Sequence, residues 1–116
     1  ALLANEGTVL RRLFAVLSLG GHGYDASVRQ MRQLTILTYE YEPDILERRG
    51  PFREEHLALL AANGCVMGGA VGAPPHGGVL VFEDRASAEA FAASDPYVEN
   101  SLVAASRIEP WTLAIG

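Results

Sequence analysis

From residue 34 onward the chain alternates short strand-like runs with helix-patterned ones in a fixed order: strand, helix, strand, strand, helix, strand. Residues 34–41 are rich in β-branched and aromatic types and predict a strand, broken by Pro43 and Asp44. The spacing predicts a helix over residues 51–62, with Leu57 and Leu60 facing inward and Asn63-Gly64 closing it. Residues 65–71 form a second strand, glycine-rich at Gly68-Gly69, and residues 72–78 a turn by composition. Residues 79–83 give a third strand. Ser87 is expected to cap a second helix that stops near Asp95-Pro96, and residues 103–114 hold a last strand, bent at Pro110.

That order is the one of the ferredoxin-like βαββαβ unit, an α+β fold with a four-stranded antiparallel sheet and both helices on one face. Such a sheet leaves its other face bare, and an apolar face must be buried against something. A second copy packed back to back is the simplest partner, so a homodimer is expected.

The first 30 residues read as an extension to this unit, which occupies residues 31–116. Leu10, Leu13, Phe14 and Leu17 fall at i, i+3, i+4 and i+7, an amphipathic helical stripe with Thr8 as N-cap and Gly20-Gly21 as stop. Arg11-Arg12 before an apolar run resembles a signal peptide. However, the run leads into Gly21-His22-Gly23-Tyr24-Asp25, not a small-x-small cleavage site. It is also far short of the roughly 20 apolar residues a membrane span needs. A cytoplasmic location is the expectation.

Composition removes several classes of chemistry. The 49% apolar and 20% charged content supports a packed core, and the net charge of −5 argues against nucleic acid or an anionic membrane as partner. All nine basic residues are arginine, so a Schiff-base lysine and a Walker-type phosphate loop are excluded. The single Cys65 allows no intramolecular disulfide and no thiolate zinc cluster. Cys65 itself opens an apolar strand, where free cysteine behaves as a small hydrophobe. His22, His56 and His76 have no metal-ligand spacing, and no cofactor is expected. The run from Gly68 to Gly72 is followed by a strand rather than a helix, so it is not a dinucleotide fingerprint. It fits a flat strand that backbone or ligand approaches closely.

The remaining candidates are polar residues beside the core. Arg53 and His56 lie three apart and project from one side of the first helix, with His56 at the edge of the core. Asp95-Pro96-Tyr97 follows the second helix, where proline fixes the backbone and Asp95 is held at a helix start or tight turn. Spacing alone is equally satisfied by a half-buried structural histidine and a capping aspartate. Arg53 can hold an anionic or phenolate oxygen, or pair with Glu54, Glu55 or Glu99. Tyr97 and Trp111 can wall an aromatic substrate or simply fill the core.

Taken as an ordered set, Arg53-x-x-His56-Leu57-x-x-Leu60, Gly64, the turn from Gly72 to Gly77, Asp95-Pro96-Tyr97 and Pro110-Trp111 resemble the YciI-like (YCII-related) family over residues 34–114. The extension and the Ala73-Pro74-Pro75-His76 turn depart from its pattern. The resemblance implies a dimeric α/β-barrel protein related to muconolactone isomerases, with a histidine and aspartate pair that falls on His56 and Asp95. Some members of the family are dehydrochlorinases acting on chlorinated hydroxyquinols.

Imidazole titrates near 6.5 when unperturbed, so it can take or give a proton at neutrality, which isomerisation and halide elimination both need. The resulting expectation is a cofactor-free lyase or isomerase on a small cyclic or phenolic acid, with His56 and Asp95 catalytic and Arg53 and Tyr97 binding substrate. The alternative is a non-catalytic dimeric module that binds a metabolite or serves a pathway complex. A His56–Asp95 hydrogen bond beside a cavity favours the first.

Overall fold

A computed structural model of the protein describes residues 32–116, so the N-terminal helix and the cleavage-site reading fall outside the described residues. Eight elements follow in order: β1 (Gln33–Tyr41), α1 (Ile45–Arg48), α2 (Gly50–Ala62), β2 (Met67–Val71), β3 (Gly77–Phe82), α3 (Arg85–Ser94), α4 (Pro96–Glu99) and β4 (Val103–Thr112). The strands form one antiparallel sheet in the order β2-β3-β1-β4. This is the ferredoxin-like α+β arrangement that the element order implies. The body that carries the site is Leu34–Trp111. Outside that body, the Leu113 N–H donates to the Arg32 carbonyl at 2.9 Å.

Alternation along the strands sorts residues onto two faces. The register sets Leu37 opposite Leu80, Thr35 opposite Phe82 and Tyr39 opposite Gly78, so these share the helix-side face. There Leu37, Tyr39, Leu80 and Phe82 pack with Ala88 and Phe91 of α3. A second cluster, Ile45, Tyr97 and Leu102, gathers around α1 and α4 with Tyr41 and Phe52 against it. On the opposite face Ile36 and Thr38 pair with Val81 and Val79, while Met67 and Val71 stand exposed. Among the described residues no helix is long and apolar enough to cross a membrane.

The caps explain where the helices stop. Gly64 has φ +73, and the Cys65 N–H bonds to the Leu60 carbonyl while the Gly64 N–H bonds to that of Ala61. Those two bonds are a Schellman motif, which needs a residue with positive φ after the helix. The N-cap of α3 is Asp84, not Ser87: the Asp84 carboxylate accepts from the Ser87 N–H at 2.8 Å and is held below the usual carboxylate range by that bond. Leu57 also departs from expectation. It is 46% exposed, because the buried residue of α2 is His56 instead.

Candidate functional site

The site begins with what the sheet lacks. Gly68 and Ala70 of β2 stand opposite Leu80 and Gly78, so Leu80 is the one large side chain of these four positions. A Cβ on Gly68 would come within 2.8 Å of the Leu80 side chain, and one on Gly78 within 2.6 Å of the Tyr41 hydroxyl. Above these positions, α2 and its N-cap residue present Arg49, Arg53, His56 and Leu60, spaced by helical turns. Between them lies a cavity of about 290 Å³, bounded further by Tyr41, Tyr97 and Pro75.

His56 is 4% exposed and borders this cavity. Its ring lies flat on Tyr97, with centroids 3.8 Å apart and planes 4° from parallel, and meets Phe91 edge-on at 5.6 Å. Two rings thus fix the imidazole plane. Its rotation within that plane is set by Asp95, whose Oδ1 is 2.9 Å from Nδ1.

Asp95 is fully buried at the junction of α3 and α4. As the N-cap of α4 it accepts the Tyr97 N–H on Oδ1 at 3.0 Å, with Pro96 setting the backbone between them. Its Oδ2 accepts the Tyr39 hydroxyl at 2.7 Å. Burial, and then the bond to Asp95, push the Tyr39 phenol far above the ordinary tyrosine range, so it remains a donor. When Asp95 is a carboxylate it can only accept, so Nδ1 is the donor of this bond, and a neutral ring in that tautomer has its lone pair on Nε2.

The cavity side is less complete. The Tyr97 hydroxyl is buried and is the one buried side-chain polar atom without a hydrogen-bond partner among the described residues. Tyr97 and Tyr41 meet edge to face at 6.3 Å. Burial raises the Tyr41 phenol, with Tyr97 and Asp95 adding to it, while the Arg49 and Arg53 guanidiniums pull in the opposite direction.

The structure therefore brings Arg53, His56, Asp95 and Tyr97 together, with His56 as the link. Arg53 forms no ion pair with Glu54, Glu55 or Glu99. Trp111 is 38% exposed and does not line the cavity. The Cys65 thiol, raised by burial, donates to the Met67 carbonyl. No group of three His, Cys, Asp or Glu able to hold a metal occurs among the described residues. Sequence reading missed Tyr39 and Arg49. Tyr39 alternates with Leu37 and reads as core, and only the four-residue step from Arg53 pointed to Arg49.

The YCII-related domain profile matches residues 33–112. No curated protein matches the chain. Among solved structures, the chain is similar to 5-chloro-2-hydroxyhydroquinone dehydrochlorinase from Burkholderia phenoliruptrix AC1100, in complex with 2,5-dihydroxybenzoquinone. The two are 23% identical with a TM-score of 0.57, over 68% of this chain and 93% of that one. It also resembles a protein of unknown function from Nitrosomonas europaea, at 21% identity and TM-score 0.49, over 75% of this chain and 93% of that one.

Proposed function

The chain belongs to the YCII-related domain family, and on that premise we propose that it is a small cofactor-free lyase or isomerase that moves a proton on a small cyclic or phenolic acid. His56 is the proton-transfer group, Asp95 its orienting partner, and Arg53 and Tyr97 bind substrate. One observation carries this reading. A histidine clamped between two rings has Nδ1 held by a buried carboxylate at 2.9 Å and borders a cavity.

In this role Nε2 takes a proton from the substrate carbon, and the negative Asp95 stabilises the imidazolium that forms. In an isomerisation the proton returns at another carbon. In an elimination the C–H electron pair forms the new double bond as the leaving group departs, the class of reaction that the dehydrochlorinase's name describes. The Tyr97 hydroxyl, lacking a protein partner, is available to donate to a substrate oxygen.

We also propose that two copies associate through the open sheet face, where Met67 and Val71 are exposed. A stable monomer at micromolar concentration by light scattering contradicts this.

The test of function starts from a thermal-shift screen of small cyclic acids, since a ligand stabilises by mass action whether or not it reacts. With a turned-over acid in hand, His56→Gln should lose roughly 10²- to 10⁴-fold in turnover while still folding, with a fall in melting temperature too small to account for that loss. Asp95→Asn should also lose turnover, and the double variant should lose less than the product of the two. Full activity in His56→Gln contradicts the proposal. A ligand bound equally by both forms and never turned over indicates the non-catalytic binding module.

A further inference from the structure

The chain carries a net charge of −5, yet the wall of the α2 cavity holds two guanidinium groups and no carboxylate. Arg49 is the N-cap residue of α2 and Arg53 follows one turn later, so both project to the same side. Their treatment differs from that of other arginines. Arg48, Arg85 and Arg107 each pair with a carboxylate, those of Asp44, Glu89 and Glu109. Neither Arg49 nor Arg53 forms an ion pair among the described residues, although Glu47, Glu54 and Glu55 lie close in sequence.

A second observation is independent of charge. Tyr97, which lines the same cavity, buries a hydroxyl that has no hydrogen-bond partner. A buried donor without a partner is unfavourable until an acceptor arrives. Two unpaired cations and an unmatched donor around one small cavity are complementary to a molecule with several oxygens, at least one of them ionised. Guanidinium favours carboxylate among such groups, because its fork of donors matches two coplanar oxygens. The cavity's 290 Å³ lies near the lower end of the range of ligand pockets, which suits a single ring.

We propose that Arg49 and Arg53 form a two-guanidinium clamp for a substrate carboxylate, so that the cavity selects carboxylated rings over uncharged phenols and quinones of the same shape. This rests on the reading of the cavity as the substrate site. Arg49 and Arg53 occupy the start of α2 and His56 lies nearly one turn beyond Arg53. The carboxylate is thus held at one end of the ring and the carbon that exchanges its proton lies toward the other.

The test compares each of three acids, 2,5-dihydroxybenzoate, salicylate and benzoate, with its own primary amide, by calorimetric titration of the full chain. The amide keeps the ring and removes the charge. The acids should bind roughly 10-fold or more tighter than their amides. Arg49→Gln and Arg53→Gln should each weaken the acids by a similar factor and the amides much less, while Arg85→Gln should alter neither. Equal binding of acids and amides, no binding of any acid, or equal weakening of both by the arginine substitutions overturns the clamp. His56→Gln separates this from the proton-transfer reading. If it retains the acid preference and no acid is ever turned over, the clamp stands and the catalytic reading fails. If an uncharged substrate is turned over in a His56-dependent way at full rate in both arginine variants, the clamp fails and the catalytic reading stands.

Discussion

Asp95 and Tyr97 are two residues apart in sequence and both contact His56, yet the fold treats their polar atoms in opposite ways. Both Asp95 carboxylate oxygens are occupied, one by Tyr39 and the other by His56 and the Tyr97 N–H. The Tyr97 hydroxyl is equally buried and has no hydrogen-bond partner among the described residues. A fully satisfied buried group is part of the scaffold, whose removal the protein itself feels. An unsatisfied one at a cavity wall does little for the fold and is available to a ligand. Substitutions on the Asp95 side should therefore register mainly in stability. Those on the cavity side should register mainly in binding.

The largest stability effect should come from Asp95→Ala. It strips three buried donors of their acceptor at once, and a loss of roughly 3–5 kcal/mol by denaturant unfolding is expected. Tyr39→Phe removes one donor from the buried carboxylate and should lose about 2 kcal/mol. A loss below a few tenths in either variant would dissolve the contrast between the two sides.

An alkaline titration gives a smaller signal with a definite sign. Tyr39 and Tyr41 are raised above the ordinary value of 10.0, so above that pH the unfolded chain ionises its tyrosines before the folded one does. The stability they contribute is fully present below pH 10 and is lost as pH rises toward the folded values. The melting temperature should fall above about pH 10, less steeply in Tyr39→Phe. The smallest effect belongs to Tyr97→Phe, whose stability should change by under about 1 kcal/mol, in the stabilising direction. The same substitution should weaken a bound acid several-fold. A Tyr97→Phe protein as destabilised as Tyr39→Phe would place Tyr97 on the scaffold side.

Much of this was legible in the chain for identifiable reasons. β1 and α2 have a period, and Gly64 supplies the positive φ that the C-terminus of α2 requires. Asp95-Pro96 carried its own signal, because a capping carboxylate followed by proline marks a helix start. By contrast α1 and α4 are four residues each, too short to show a helical period. Apolar spacing on α2 places Leu57 inside. The histidine beside it holds that place by satisfying its Nδ1 on Asp95. Tyr39 was invisible as a site residue, since its partner lies 56 positions away and only the sheet brings them together.

The proposed proton transfer requires Asp95 to hold His56 with the lone pair of Nε2 toward the substrate. Nitrogen-resolved NMR of ¹⁵N-labelled histidine side chains reads it directly, with His56 assigned through its loss in His56→Gln. The neutral His56 ring is expected to carry its proton on Nδ1 and leave Nε2 bare. A neutral ring protonated on Nε2 would contradict it, because a nitrogen that already bears a proton cannot accept one from the substrate.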